Sequence, residues 1–151
     1  ISARSGDAST IPLVDPGIYG YDYDAMSAAL DTVSPESYAL SDDDKSLRQG
    51  VFTNIYARYA NPDNAVQWME FGKSIWTGSN FTDNKKMRRF QAEYYRRFFD
   101  MLLAGHTAGM FCWWFTGGYR IGENSDFGIL DPDGGDRPVT EVLRECRKPT
   151  I

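Results

Sequence analysis

The chain has 151 residues, a formal net charge of −5 at pH 7 and 42% apolar residues. This apolar content excludes disorder, and we expect residues 1–151 to form one domain with a sizeable core. The acidic balance argues against a nucleic-acid partner, because such binding depends on cations that neutralise phosphates. No stretch approaches the roughly 20 apolar residues that span a bilayer, so we expect no membrane partner.

Aromatic residues are dense, at 15% of the chain. A large core would absorb most of them. Sugar-binding clefts also use such residues, because a flat ring covers the apolar face of a pyranose. The composition leaves both uses open.

The first part of the chain predicts short elements. A lead-in rich in Gly, Ser and Asp occupies residues 1–15, and an acidic first turn predicts a short helix over residues 22–30. Residues 32–38 form a short extended segment, because Pro35 argues against a longer one.

A longer helix begins at Ser41–Asp44, whose polar side chains suit a helix N-terminus. The turn residues Asn61–Asn64 end it. Its apolar residues recur every four positions on one face: Leu47, Val51, Ile55 and Tyr59.

The second part contains the longest helix, from Asp83 or Asn84 to Gly105, with an apolar stripe. Residues 109–115 predict a fully apolar strand with both faces covered. Residues 126–134 predict a hairpin or turn, and residues 137–147 a final helix with proline in its first turn.

A carboxylate stands at the end of the strand predicted over residues 65–71. Val66, Trp68 and Phe71 favour a strand, and Gly72 then breaks the run. An ionised carboxyl is costly in such surroundings unless it is paired or hydrogen-bonded. Glu70 is therefore either a satisfied structural group or a functional one.

The elements alternate strand and helix about four times, which predicts an α/β fold with a parallel sheet. Ligands bind at the carboxyl ends of the strands in such folds. The residues that fall at or near those ends are Glu36, Tyr38, Glu70, Trp113 and Trp114.

Metal and cofactor chemistry have no support in the sequence. One histidine and two distant cysteines cannot build a zinc centre with ordinary spacing. Gly117 and Gly118 do not open a helix, so no phosphate-binding loop follows a strand. We therefore predict no metal and no cofactor.

Several segments together resemble the C-terminal half of a clan A glycoside hydrolase, a retaining (β/α)8-barrel enzyme. Val66–Gly72 is similar to the seventh strand, which carries the nucleophile, and Gly109–Tyr119 to the eighth, which ends in a tryptophan. Ser125–Gly134 resembles the family's tail, and Asp31–Tyr38 its sixth strand. The resemblance implies a partial TIM barrel of roughly the last four β/α units.

The resemblance also implies roles in hydrolysing a β-linked oligo- or polysaccharide. Glu70 would be the nucleophile, Trp113 would floor the −1 sugar site, and Tyr38 would donate a hydrogen bond to the nucleophile. Trp114 is a further candidate for substrate binding. Because alternate residues of a strand face opposite sides, we expect only one of Trp113 and Trp114 to face the barrel mouth, and the resemblance favours Trp113.

Three further residues are candidate sugar contacts. Trp76 lies in the loop after the nucleophile strand and would form a second platform. Glu123 lies in a later loop and would bind hydroxyl groups. Glu36 would contact a sugar hydroxyl or, in an inverting mechanism, pair with Glu70.

One departure from the family is serious. Its acid/base glutamate follows an asparagine after the fourth strand, and this chain has neither an Asn-Glu pair nor the first four strands. We expect the missing half of the barrel to come from the same polypeptide, a cleaved fragment or self-association, because open strand edges invite pairing. The rival hypothesis is a non-catalytic carbohydrate-binding or scaffold half-barrel. The sequon at residues 80–82 favours a secreted protein.

Overall fold

The computed structural model describes residues 2–7, 28–37, 44–60, 62, 65–76 and 85–146. The elements are β1 (Ser2–Asp7), β2 (Thr32–Ser37), α1 (Asp44–Ala60), β3 (Ala65–Phe71), α2 (Lys85–Ala104), β4 (Gly109–Cys112) and α3 (Pro138–Glu145). In the described residues the strands form one sheet in the order β1-β2-β3-β4, with β1–β2 and β2–β3 parallel. The predicted α/β fold with a parallel sheet is confirmed.

The chain divides into two compact units. The first comprises Ile1–Phe71 with Asp100–Phe111, and the second comprises Gly72–Phe99 with Cys112–Ile151. The single domain over residues 1–151 stays a prediction. Among the described helices, none is both long enough and apolar enough to cross a bilayer.

In the first unit, the sheet packs on α1 through a face that the sequence pattern did not predict. Among the side chains of α1 that the structure describes, the buried ones are small or polar: Gly50, Thr53, Asn54 and Ala57. Two members of the predicted apolar face, Ile55 and Tyr59, are instead 54% and 85% exposed. The fully buried Trp68 donates from Nε1 to Oδ1 of Asn54 at 2.6 Å. This bulky indole leaves room only for small side chains on the helix.

The C-terminus of α2 is where the sequence predicts it. His106 has a φ of 53°, and its N–H donates to the carbonyl of Leu103, while the N–H of Thr107 donates to that of Leu102. These are the two hydrogen bonds of a Schellman cap. Gly105 is required before it, because a Cβ there would collide with the side chain of Asn54.

Both outer strands of the described sheet differ from the prediction. The lead-in over residues 1–15 contains β1, whose composition is poor in strand formers and which gains its order from backbone pairing with β2. The strand predicted over residues 109–115 ends at Cys112, and Phe111 and Phe115 are 54% and 64% exposed. The prediction that both faces of this strand are covered is wrong, because no residue of β4 is fully buried and Phe111 is exposed.

The second unit is organised around a buried cation. The Arg137 side chain, 1% exposed, donates to Asp126 at 2.9 and 3.0 Å, to Asp131 at 2.9 Å and to the carbonyl of Gly128 at 2.7 Å. A buried charge is tolerated when it is paired and hydrogen-bonded in this way. The residue also precedes α3, whose first position is proline as predicted.

Asp131 joins this cluster to α2. Arg88 donates to both of its carboxylate oxygens, at 2.8 and 2.7 Å. The hydrogen bond from Arg88, together with Arg137, holds the pKa of Asp131 below its ordinary value of 3.8. The ionised carboxylate therefore contributes stability to the folded state.

Replacing Asn54 tests the packing of the first unit. Asn54→Ala removes the acceptor of a buried indole N–H, and we expect the free energy of unfolding to fall by about 1–3 kcal/mol. Urea denaturation measures the change. The control is Ile55→Ala on the same helix, where the side chain is 54% exposed and a loss within about 0.5 kcal/mol is expected. Equal losses in the two variants would contradict this packing.

Asp131→Asn tests the charge cluster of the second unit. A carboxyl whose pKa is lowered on folding stabilises the protein fully above its unfolded value of 3.8, and this contribution is lost as the pH falls through the folded value. We expect the variant to melt below the native protein at neutral pH, and the gap to shrink below about pH 4. Thermal melting across pH measures it, with Asp100→Asn as an exposed control. A gap independent of pH would refute the assignment.

Candidate functional site

Glu70 and Glu36 lie at corresponding positions of neighbouring parallel strands. The backbone of Glu36 in β2 is in register with that of Glu70 in β3, one residue before each strand ends. The structure therefore places both residues at the carboxyl ends of their strands, as the sequence predicts. Tyr38, the predicted partner of the nucleophile, lies outside the described residues.

The register between β2 and β3 shifts by one residue before Glu70. Val33 is in register with Val66 and Glu36 with Glu70, so β3 holds one residue more than β2 between these pairs. Strict alternation would put Glu70 on the same face as Trp68, which contacts α1. After the shift, Phe71 is the next fully buried residue, and Glu70 is half-buried. The alternation of burial along β3 is therefore interrupted between Trp68 and Phe71, as strand bulges allow.

In the second unit, Gly72 follows β3 at a point where two backbones meet. A Cβ at this position would collide with the carbonyl oxygen of Trp113. Only glycine allows this approach, which explains the break in the apolar run after Phe71. The contact holds the backbone immediately after β4 in place.

Trp113 and Trp114 form one aromatic pair. Their ring centroids are 4.6 Å apart and their planes are tilted by 51°. The prediction that they point to opposite sides is wrong, because β4 ends at Cys112 and the alternation of a strand no longer applies. Trp113 is half-buried, and Trp114 is 38% exposed.

Arg120 lies over this pair. Its guanidinium carbon is 4.9 Å from the ring centroid of Trp113 and 4.6 Å from that of Trp114, which is cation–π geometry. Sequence reasoning missed this residue, although a cation in a glycine-rich loop after an aromatic strand was the available signal.

Glu123 makes contacts inside the same loop. One carboxylate oxygen pairs with Arg120 at 2.7 Å, and the other accepts from Ser125 Oγ at 3.0 Å and from Trp113 Nε1 at 3.5 Å. The carboxylate predicted to bind sugar hydroxyls thus orients an indole and a guanidinium. Its side chain remains 36% exposed.

Trp76 contacts a second aromatic residue that the sequence analysis did not single out. Its ring lies 4.4 Å from that of Tyr119, centroid to centroid. Ser74 Oγ accepts from the backbone N–H of Trp76 at 3.1 Å, and Tyr119 donates to Asn124 at 2.5 Å. Two aromatic pairs of the second unit therefore include candidate residues: Trp76 with Tyr119, and Trp113 with Trp114. Arg120 lies over the second pair.

Metal ligands are not grouped in the described part of the chain. No set of three His, Cys, Asp or Glu side chains there is placed to hold an ion. Burial raises the pKa of the Cys112 thiol, which keeps it protonated at the end of β4.

Comparisons with solved structures show which known proteins share the fold of this chain. No protein-family model and no curated protein match the chain. The catalytic core of a xylanase A matches with a TM-score of 0.73 at 11% identity, over 96% of this chain and 48% of that one. A thermostable mutant of a xylanase from Cellvibrio japonicus matches with a TM-score of 0.65 at 12% identity, over 82% and 42%.

A third solved structure is a GH128 endo-beta-1,3-glucanase from Amycolatopsis mediterranei in complex with laminarihexaose. Its TM-score is 0.56 at 13% identity, over 87% of this chain and 53% of that one. The chain thus spans about half the length of these solved structures. At identities this low, the structural similarity shows the fold alone. The chain has the α/β architecture of part of a TIM barrel.

Proposed function

We propose that this chain is the nucleophile half of a retaining glycoside hydrolase that acts on a β-linked oligo- or polysaccharide. The observation behind this proposal is the position of Glu70, which is half-buried, one residue before the end of a parallel strand and in register with Glu36. Carboxyl ends of parallel strands are where TIM-barrel enzymes hold their catalytic groups.

The solved structures of similar fold support this class of reaction. Two are xylanases and one is an endo-beta-1,3-glucanase, so all three are named for hydrolysis of glycans. The clan A resemblance of Val66–Gly72 adds the role of Glu70.

The chemistry requires two carboxyl groups. The Glu70 carboxylate would attack the anomeric carbon, and the bond from that carbon to the leaving oxygen would break as a glycosyl-enzyme forms. A glutamate outside this chain would protonate the leaving oxygen and then deprotonate the water that releases the sugar.

The other candidate residues would contact the sugar. Trp113 would support the −1 ring and Trp76 a further ring, because indole faces cover the apolar faces of pyranoses. Tyr38 would donate a hydrogen bond to Glu70. Glu36 and Glu123 would reach hydroxyl groups, Glu123 from the loop where it already orients Trp113.

The missing half of the barrel would complete the sheet. In the described residues, β1 and β4 stand at the two ends of the strand order, and Phe111 on β4 is 54% exposed. Open edges of this kind pair with further strands. We propose that the N-terminal half of the same barrel, in one polypeptide or as a cleaved fragment, or a second copy of this chain, occupies them.

A mechanism-based label tests Glu70 directly. A dinitrophenyl 2-deoxy-2-fluoroxyloside carries a leaving group that departs without protonation, so the reaction does not need the missing acid. We expect one fluorosugar on the peptide that contains Glu70, detected by mass spectrometry together with released dinitrophenolate. Glu70→Gln should remain unlabelled, and Glu141→Gln, an exposed change on α3, should be labelled normally.

Two outcomes would count against this assignment. A label that persists in Glu70→Gln would exclude Glu70 as the nucleophile. An unlabelled native chain that still binds xylohexaose in calorimetry would favour the rival function, a carbohydrate-binding half-barrel. Two aromatic contacts in the second unit, Trp76 with Tyr119 and Trp113 with Trp114, favour this carbohydrate-binding function.

Self-association has its own test. If a second copy covers the β4 edge, the mass of the native chain should rise with concentration, and Phe111→Lys should lower it, because a cation disfavours edge pairing. Light scattering after size-exclusion chromatography measures the mass. A monomer at every concentration would exclude the second copy and favour the N-terminal half.

A further inference from the structure

The Arg120 guanidinium occupies a surface that a sugar ring would need. It lies 4.9 and 4.6 Å from the ring centroids of Trp113 and Trp114, within cation–π distance of both rings. One side of an aromatic ring holds one planar partner at a time. A pyranose cannot stack there while the guanidinium remains.

Glu123 holds the guanidinium in that position. The ion pair is 2.7 Å long, and its side chains are 32% and 36% exposed. Salt screens exposed pairs of this kind, and each contributes little to stability. The arginine is therefore held over the rings by weak and reversible contacts.

The covering position leaves one donor unsatisfied. Nη1 of Arg120 is buried and has no hydrogen-bond acceptor within the described residues. A buried donor without an acceptor is costly, and displacement would return it to water or to a sugar hydroxyl. This cost partly offsets what the ring contacts and the ion pair contribute.

We infer that Arg120, held by Glu123, is a removable cover on the Trp113–Trp114 pair that competes with a stacked neutral sugar and so determines glycan affinity and specificity. The inference rests on the proposed function, because it requires that the pair bind a sugar. It makes Arg120 a specificity-determining residue rather than a catalytic one.

Calorimetry with xylohexaose tests the competition. Removing the cation in Arg120→Gln should tighten binding by roughly two- to fivefold, the range that an exposed cation–π contact allows. Affinity of the native chain should rise as NaCl increases from about 0.02 to about 0.5 M, because salt weakens the ion pair. The salt dependence should disappear in Arg120→Gln.

A matched control is Arg144→Gln. Arg144 pairs with Glu141 three residues before it at 2.6 Å, as Arg120 pairs with Glu123, but on α3. This variant should keep the native affinity and the native salt dependence. A change equal to that of Arg120→Gln would overturn the inference.

A measurement without ligand tests the cover itself. Acrylamide should quench tryptophan fluorescence more strongly in Arg120→Gln than in the native chain, while the fully buried Trp68 contributes little. Equal quenching in the two proteins would contradict the inference that Arg120 covers these rings.

The binding outcomes separate the two claims. Binding by the native chain that is unchanged or weaker in Arg120→Gln overturns the competition alone. No binding by any of the three proteins contradicts the proposed function, and the competition with it.

Discussion

The packing of Trp68 against α1 is the constraint on which the first unit depends. A fully buried indole with its N–H bonded to Asn54 determines which face of β3 meets the helix, and hence which side chains of the helix are small. If β3 alternated without interruption, Glu70 would share the face of Trp68 and would also point toward the helix. The register shift before Glu70 interrupts that alternation, so that a fully buried anchor and a half-buried carboxylate occupy one short strand.

The second unit is stabilised in a different way, because its long loop has few regular backbone pairings in the described residues. Arg137 takes their place by donating to Asp126, Asp131 and a backbone carbonyl from a buried position. Hydrogen bonds to a buried cation are directional as well as strong. The loop between β4 and α3 is thereby ordered, and with it the indoles, the arginine and the carboxylate that it carries.

Sequence reasoning predicted most of the elements and missed much of their orientation. Turn and cap residues marked the end of α2 and the start of α3 well, because Gly105 and Pro138 act locally. Sequence reasoning did not predict the buried face of α1, because that face is selected by Trp68 and not by the helix's own apolar residues. β1 escaped it too, because backbone pairing with a distant strand orders a segment of low strand propensity.

The same division holds for the candidate residues. Glu70 and Trp113 were singled out as candidates because each stands near the end of a strand with a recognisable pattern. Arg120 and Tyr119 were not, since their importance comes from ring contacts across a loop whose path no local rule predicts. The one-residue offset between β2 and β3 has a consequence for protein engineering, because the alignment of Glu36 with Glu70 depends on the number of residues in each strand. Point-mutation libraries keep that number, whereas shortening either strand by a single codon would move the two glutamates out of register.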